Sequence, residues 1–179
     1  MKRPIVGLLL IAVLAWLGWW TWQSRSIRPR APAAPADSAF VGVRAVRLFF
    51  GAAGGDSLVS EDRELIESAT LHERVAALVS ELDRGPRGPG VAVLPAGTSV
   101  LHVYLDDRGL MTLDLSGAFR QRFRGGSTAE YLALASLVRT LAANLPEVKQ
   151  VRIVSAGRPL ATLGGHLPLD RPLETSEWP

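Results

Sequence analysis

The chain opens on a hydrophobic stretch without periodicity: from Ile5 to Trp22 no side chain carries a charge. At about 1.5 Å of helical rise per residue, a run of this length just crosses a hydrocarbon core of roughly 30 Å. The pattern predicts one transmembrane helix within residues 1–23, with Ile5 and Leu14 in its apolar body. Trp16, Trp19, Trp20 and Trp22 crowd its end, where amphipathic rings favour the headgroup region. A signal peptide has an apolar region of only about 7 to 15 residues before its cleavage site, so an uncleaved anchor is the expectation. Lys2 and Arg3 on one side nearly balance Arg25, Arg28 and Arg30 on the other, so flanking charge does not decide the orientation. An apolar segment this close to the N-terminus is expected to act as a signal anchor, with the rest of the chain on the extracytoplasmic side of the cell membrane.

Beyond the anchor the pattern changes twice. Residues 24–39 are rich in Pro, Ala and Arg without apolar periodicity, which describes a semi-extended tether. Residues 40–173 alternate strand-like and helix-like patterns, and residues 174–179 read as a frayed tail. The β-branched and aromatic stretch "VGVRAVRLFFG" predicts a strand ending at Gly51, and a short extended piece follows at Leu58 to Ile66. Thr70 and Glu73 form a capping-box signature for a helix whose Leu71, Val75, Leu78, Val79 and Leu82 share one face. Gly85, Pro86, Gly88, Pro89 and Gly90 stop it. Ser127 as N-cap and Glu130 as its partner repeat the signature for a second helix running to about Asn144, with Tyr131, Leu134, Val138, Leu141 and Leu145 as its core stripe.

Between the helices lies a hairpin. With Asp107, Arg108 and Gly109 as a three-residue loop, Asp106 pairs with Leu110. Leu105 then faces Met111, Val103 faces Leu113 and Leu101 faces Leu115 on the buried side. Tyr104 meets Thr112 and His102 meets Asp114 on the other side, with Ser116 two residues further on. "VKQVRIVSAG" supplies a last strand ending at Gly157, and the remainder is extended. The predicted fold class is α/β in the broad sense (α+β): a small mixed sheet with two helices, in the order β-β-α-β-β-α-β, preceded by one transmembrane helix.

Composition narrows the chemistry. The chain carries twenty Lys and Arg against seventeen Asp and Glu, but five of the basic residues and one acidic residue precede Phe40, leaving fifteen against sixteen in the domain. A nucleic-acid partner is not expected, because it needs a basic surface that displaces counterions from phosphate. The basic excess sits beside the membrane, where it meets anionic lipid. The absence of Cys removes disulfides, thiolate metal sites, a Cys nucleophile and lipid attachment through Cys.

The candidate reactive groups are few. His102, Asp114 and Ser116 share a face, but a catalytic triad needs the His between the nucleophile and the acid; here Asp114 falls in the middle, and no nucleophile elbow is present. His72 and His166 add no metal-ligand spacing, and no metal or cofactor is expected. Glu61, Asp62 and Glu64, interleaved with Arg63, read as an exposed strand or turn. "FRQRFRGGST" is different: it sends Arg120, Arg122 and Arg124 toward a helix start at Ser127, where backbone donors and the helix dipole attract anions. Finally, Leu132, Ala135 and Leu137 make the second helix apolar beyond its core stripe, so it is either sandwiched or offers a face to another subunit.

"VRLFFG", "SLVSEDREL", "LVSELDRGP", "VLPAGTSVLHVYLDDRGLMTLDLSGAF", "GGSTAEYLALASLVRTLAANLPEVKQVRIVSAG" and "GHLPLDRPL", in that order, resemble the GerMN domain of sporulation and spore germination proteins across nearly all of Val43 to Leu173. The most specific pieces are Gly85-Pro86, Leu94-Pro95, Gly97-Thr98, Asp114-Leu115-Ser116, Thr140 and Gly157. The resemblance implies a small α/β domain that is non-enzymatic, exported and attached to the outer side of the cytoplasmic membrane, with a fold similar to ring-building motifs that pack side by side in oligomers. The chain departs from the pattern in having no lipid-modified Cys, one copy of the domain, and an apolar segment in place of the lipid. The function expected is an envelope assembly or binding module, partnered by the membrane and by self-association or another envelope protein. The alternative is a binding module for an anionic envelope ligand held by the three arginines.

Overall fold

In the computed structural model, which describes Trp16, Trp19 and residues 42–178, strand β1 (Val43–Gly51) and strand β2 (Leu58–Ile66) pair antiparallel from end to end, Val43 opposite Ile66 and Gly51 opposite Leu58. Leu48 and Phe50 of β1 enter the core almost completely. Helix α1 (Leu71–Arg84) starts on the expected capping box: the Glu73 amide donates to Thr70 Oγ1 and the Thr70 amide to Glu73 Oε2, both at 3.2 Å. Its Val75, Leu78, Val79 and Leu82 are buried. The helix ends at Gly85, whose φ of 84° suits a residue without Cβ.

β3 (Val100–Leu105) and β4 (Leu110–Leu115) form the hairpin. Asp106 Oδ1 accepts from the amides of Arg108 and Leu110, both at 2.9 Å, and Gly109 takes φ 88° at the turn. Leu105 faces Met111, Val103 faces Leu113 and His102 faces Asp114 as expected, but the register then shifts. Val100, not Leu101, lies opposite Leu115, and Leu101 is left 40% exposed as the extra residue of a bulge. The bonds around Ser116 fix this end: its amide donates to the Ser99 carbonyl at 2.8 Å and its Oγ accepts from the Ser99 amide at 3.1 Å.

A one-turn helix, α2 (Gly117–Gln121), and the long helix α3 (Ser127–Asn144) cross over to β5 (Gln150–Ser155), which runs parallel to β4. Two-residue strands β6 (Arg158–Pro159) and β7 (Leu173–Glu174) both pair antiparallel with β5. The single mixed sheet expected from the sequence is therefore two sheets, a β1-β2 ribbon and a five-stranded sheet. The final residues are not frayed. The Thr175 amide donates to the Lys149 carbonyl at 2.8 Å, and Trp178 stacks on Tyr131 with ring centroids 5.2 Å apart. This contact keeps Tyr131 at the surface, 41% exposed, rather than in the core stripe.

The division into two sheets has a local cause. The outward backbone edge of β1 meets α3 instead of a strand. Thr140 Oγ1 accepts from the Phe49 amide at 3.1 Å, and Ser136 Oγ donates to the Phe49 carbonyl at 2.6 Å. Asn144 accepts from the Arg47 amide at 2.9 Å and donates to the Arg47 carbonyl at 2.7 Å. Beyond them Gly51 exchanges two backbone bonds with Val91. Eleven residues of α3 are buried, so the helix is sandwiched within its own domain. Leu132, Ala135 and Leu137, expected as a subunit face, are 5%, 2% and 0% exposed and have no surface to offer a neighbour. One contiguous core joins side chains of both sheets and both long helices.

Of the predicted anchor, Trp16 and Trp19 are helical and more than half exposed. Ile5, Leu14, Trp20 and Trp22, and the tether at 24–39, lie outside the described residues. Among the described residues no helix is long and apolar enough to cross a membrane.

Thr140→Val keeps the shape of the side chain while orphaning the Phe49 amide. It is expected to lower the unfolding free energy by about 1–3 kcal/mol, read from urea midpoints. A loss under about 0.5 kcal/mol would show that the edge bond is dispensable.

Candidate functional site

The start of α3 is where sequence and structure part most sharply. Gly126, not Ser127, is the N-cap, and no side chain accepts from the first-turn amides. Glu130 turns inward and is completely buried. Its Oε1 accepts from the amides of Leu163 and Gly164 at 3.0 and 2.8 Å; its Oε2 accepts from the His166 amide at 2.9 Å and lies 3.0 Å from His166 Nδ1. Burial alone would raise the carboxyl's pKa, but this ring of donors outweighs it and holds the group below its ordinary value. A residue expected to cap its own helix instead fastens the loop before β7.

Outside this carboxylate the helix start opens on a groove of about 700 Å³, whose walls include Leu94, Pro95, Arg122, Arg124, Ser127 and Leu132. Three of the four residues expected at an anion site, Arg122, Arg124 and Ser127, are thus brought together. Arg122 Nη1 donates to the Ala96 carbonyl at 3.2 Å; Arg124 Nη1 donates to the carbonyls of Gln121 and Phe123 at 2.8 and 2.7 Å. Neither pairs with a carboxylate among the described residues. The fourth, Arg120, lines a separate cleft together with Arg158, and the sequence offered no reason to connect those two.

The remaining candidates are structural in their contacts. His102 Nδ1 lies 3.3 Å from Asp114 Oδ2, while Asp114 Oδ1 accepts from the Gly157 amide at 3.0 Å. Ser116 Oγ donates to the Gly97 carbonyl at 3.1 Å, so the hydroxyl is committed to the backbone and Asp114 stands between it and the His. The acidic stretch is not simply exposed, because Arg63 within it is buried. Arg63 bonds Glu61 Oε1 at 2.8 Å, Glu81 Oε2 at 2.6 Å and the Gly85 carbonyl at 2.8 Å, and lies 5.2 Å from the Phe50 ring centroid. Burial opposes its charge, yet the two carboxylates raise its pKa above the ordinary value. The alternation of β2, which places Arg63 on the side of the half-buried Glu61 and Leu65, was the available signal for this buried position. Among the described residues no three His, Asp or Glu side chains gather as a metal ion would require.

The fold is a mixed α+β domain built from an antiparallel ribbon and a five-stranded sheet. The family model Germane, described as sporulation and spore germination, matches residues 47–161; the chain belongs to this family. Among solved structures it is similar to the tandem GerMN domains of the sporulation protein GerM from Bacillus subtilis, with TM-score 0.60 and 19% identity over 75% of this chain and 47% of that one. The first GerMN domain of the same protein gives TM-score 0.54 and 19% identity over 73% of this chain and 97% of that one. A candidate lipoprotein from Clostridium perfringens gives TM-score 0.54 and 19% identity over 77% and 91%. At this identity the likeness is one of fold. No curated protein matches the chain.

Because folding lowers the Glu130 pKa, its contribution to stability is complete above the unfolded value of about 4.3 and is lost as pH falls through the lower folded value. Glu130→Gln sets an amide among donors and is expected to cost about 1–3 kcal/mol at pH 7. In urea unfolding, the gap between wild type and this variant should narrow from pH 7 to pH 3; a gap independent of pH would mean that the charged carboxylate contributes nothing beyond its shape.

Proposed function

We propose that the chain is a single-pass, membrane-tethered binding module of the bacterial envelope, non-catalytic, with its domain on the extracytoplasmic side. The charge-free run from Ile5 to Trp22 supports the anchor. The Germane match and the likeness to a sporulation protein and a candidate lipoprotein support the envelope setting. The near-balance of charge in the domain speaks against nucleic acid. Assembly through Leu132, Ala135 and Leu137 would require uncovering buried side chains, so contact with a partner has to be made elsewhere.

The observation that carries the reading is the groove at the start of α3. Two guanidiniums without carboxylate partners and a helix start without a side-chain cap border a groove whose walls include the exposed apolar residues Val91 and Ala92. An anion attached to an apolar body satisfies both parts of that surface. The occupant in this reading is an anionic envelope component, and the tether raises the effective concentration of the groove at the membrane.

The test is co-sedimentation of the full chain, held in neutral detergent, with purified cell-wall sacculi. Binding is expected to weaken with added NaCl and to fall at least fivefold in the double variant Arg122→Gln/Arg124→Gln with its circular dichroism unchanged. Equal sedimentation of the variant and wild type would remove the groove from the function.

A further inference from the structure

Arg120 and Arg158 line one cleft of about 430 Å³, whose other walls are Gly117, Gln121, Ser155 and Ala156. None of these residues borders the α3 groove. Each arginine stands on backbone that the fold holds firmly. Arg120 follows Phe119, which is completely buried and fixes the one-turn helix α2. Arg158 follows the turn between β5 and β6, where the Ala156 amide donates to the Leu115 carbonyl at 2.8 Å, Ser155 Oγ to the Ser116 carbonyl at 3.2 Å and the Gly157 amide to Asp114 at 3.0 Å. In that turn Ala156 has φ 52°, the one positive φ at a residue other than Gly among the described residues, a conformation that side-chain-bearing residues disfavour. The surrounding bonds hold it there.

The two guanidiniums have no compensation. Neither the Arg120 nor the Arg158 guanidinium makes a hydrogen bond or ion pair among the described residues. The carboxylate beneath the turn, Asp114, is 8% exposed and engaged by Gly157 and His102. Both arginines are exposed, so an anion entering the cleft meets two guanidiniums without displacing a partner from either.

We propose that this cleft is a phosphomonoester-binding site. Such a group carries about −1.5 to −2 charge at pH 7 and three terminal oxygens, which two planar forks can grip from two sides. A carboxylate offers one charge and two oxygens, which a single fork satisfies. The phosphomonoester can be a soluble metabolite or the headgroup of an acidic lipid, and the cleft recognises the same chemistry in both.

The test is calorimetric titration of the full chain in neutral detergent with inorganic phosphate and with glycerol 3-phosphate at constant ionic strength, acetate serving as control. Saturable binding is expected for both phosphates and not for acetate. Arg120→Gln and Arg158→Gln should each weaken it about tenfold or more, Arg158→Lys should weaken it less, and Arg122→Gln, in the other groove, should leave it within twofold. Vesicles of phosphatidylcholine with phosphatidic acid then separate the sources. Capture that is lost in Arg158→Gln assigns the lipid headgroup, and titration by the soluble phosphates without such capture assigns a soluble ligand. No saturation by phosphate, acetate binding as tightly, or equal sensitivity to Arg122→Gln would each overturn the proposal. Since Arg122 belongs to the α3 groove alone, failure here leaves the sacculus experiment standing, and the reverse also holds.

Discussion

The domain depends on how one strand edge is closed. β1 has β2 on one side only, and an unpaired edge is both a loss of backbone hydrogen bonds and a template for foreign strands. α3 closes it with Ser136, Thr140 and Asn144, one side chain per turn on one helical stripe, reaching Phe49 and then Arg47. Four helical residues advance about 6.0 Å and two strand residues about 6.7 Å, so the two repeats nearly match over this length. The helix number rises as the strand number falls, so α3 runs antiparallel to β1. Polar side chains on an otherwise apolar helix thereby become tolerable: each is spent on a backbone group that no strand satisfies. The same arrangement buries Leu132, Ala135 and Leu137 of α3 within its own domain.

Loops are held by a related device. The chain has no Cys, and carboxylates take over the work of fastening its glycine-rich connections. Glu61 accepts from the amides of Arg87 and Gly88, Asp83 from Gly97 and Thr98, Asp106 from Arg108 and Leu110, Asp114 from Gly157, and Glu130 from Leu163, Gly164 and His166. Each is a bond from loop backbone to a carboxylate oxygen. For Glu61 as for Glu130, burial pushes the pKa up but the donors hold it below the ordinary value. The loops held by Glu61 and Glu130 are consequently linked to the ionisation of those two carboxyls, and acid should loosen these connections before it reaches the apolar core.

Sequence patterns carried the elements well where local chemistry decides them. The Thr70–Glu73 box, the glycine stop at Gly85, the Asp106–Gly109 turn and most of the hairpin register depend on neighbouring residues, and all are found. What the sequence hid depends on distant partners. Ser127 and Glu130 have the same spacing as Thr70 and Glu73, yet Glu130 has a more favourable use against a loop some 34 residues away. Arg63 looks like part of an exposed charged run until Glu81 and Gly85 arrive from α1. Leu101 leaves its predicted partner because bonds between Ser99 and Ser116 set the end of the hairpin in another register. The apolar surplus of α3 was legible, but its cover was not, since nothing local says that β1 will lie along it.

The arginine segment shows how geometry can reverse the meaning of a motif. Arg120, Arg122 and Arg124 alternate in the sequence and suggest one basic patch. Across a helical turn, positions two apart are about 200° apart around the axis, so Arg120 within α2 and Arg122 at its C-cap face different sides. The cleft at Arg120 gains Arg158, Ser155 and Ala156; the groove at Arg122 and Arg124 gains Leu94, Pro95 and Leu132. A continuous polyanion needs a continuous track of cations, which this division does not provide. The three arginines are thus divided between two separate surfaces, a separation no count of charges in the sequence could express.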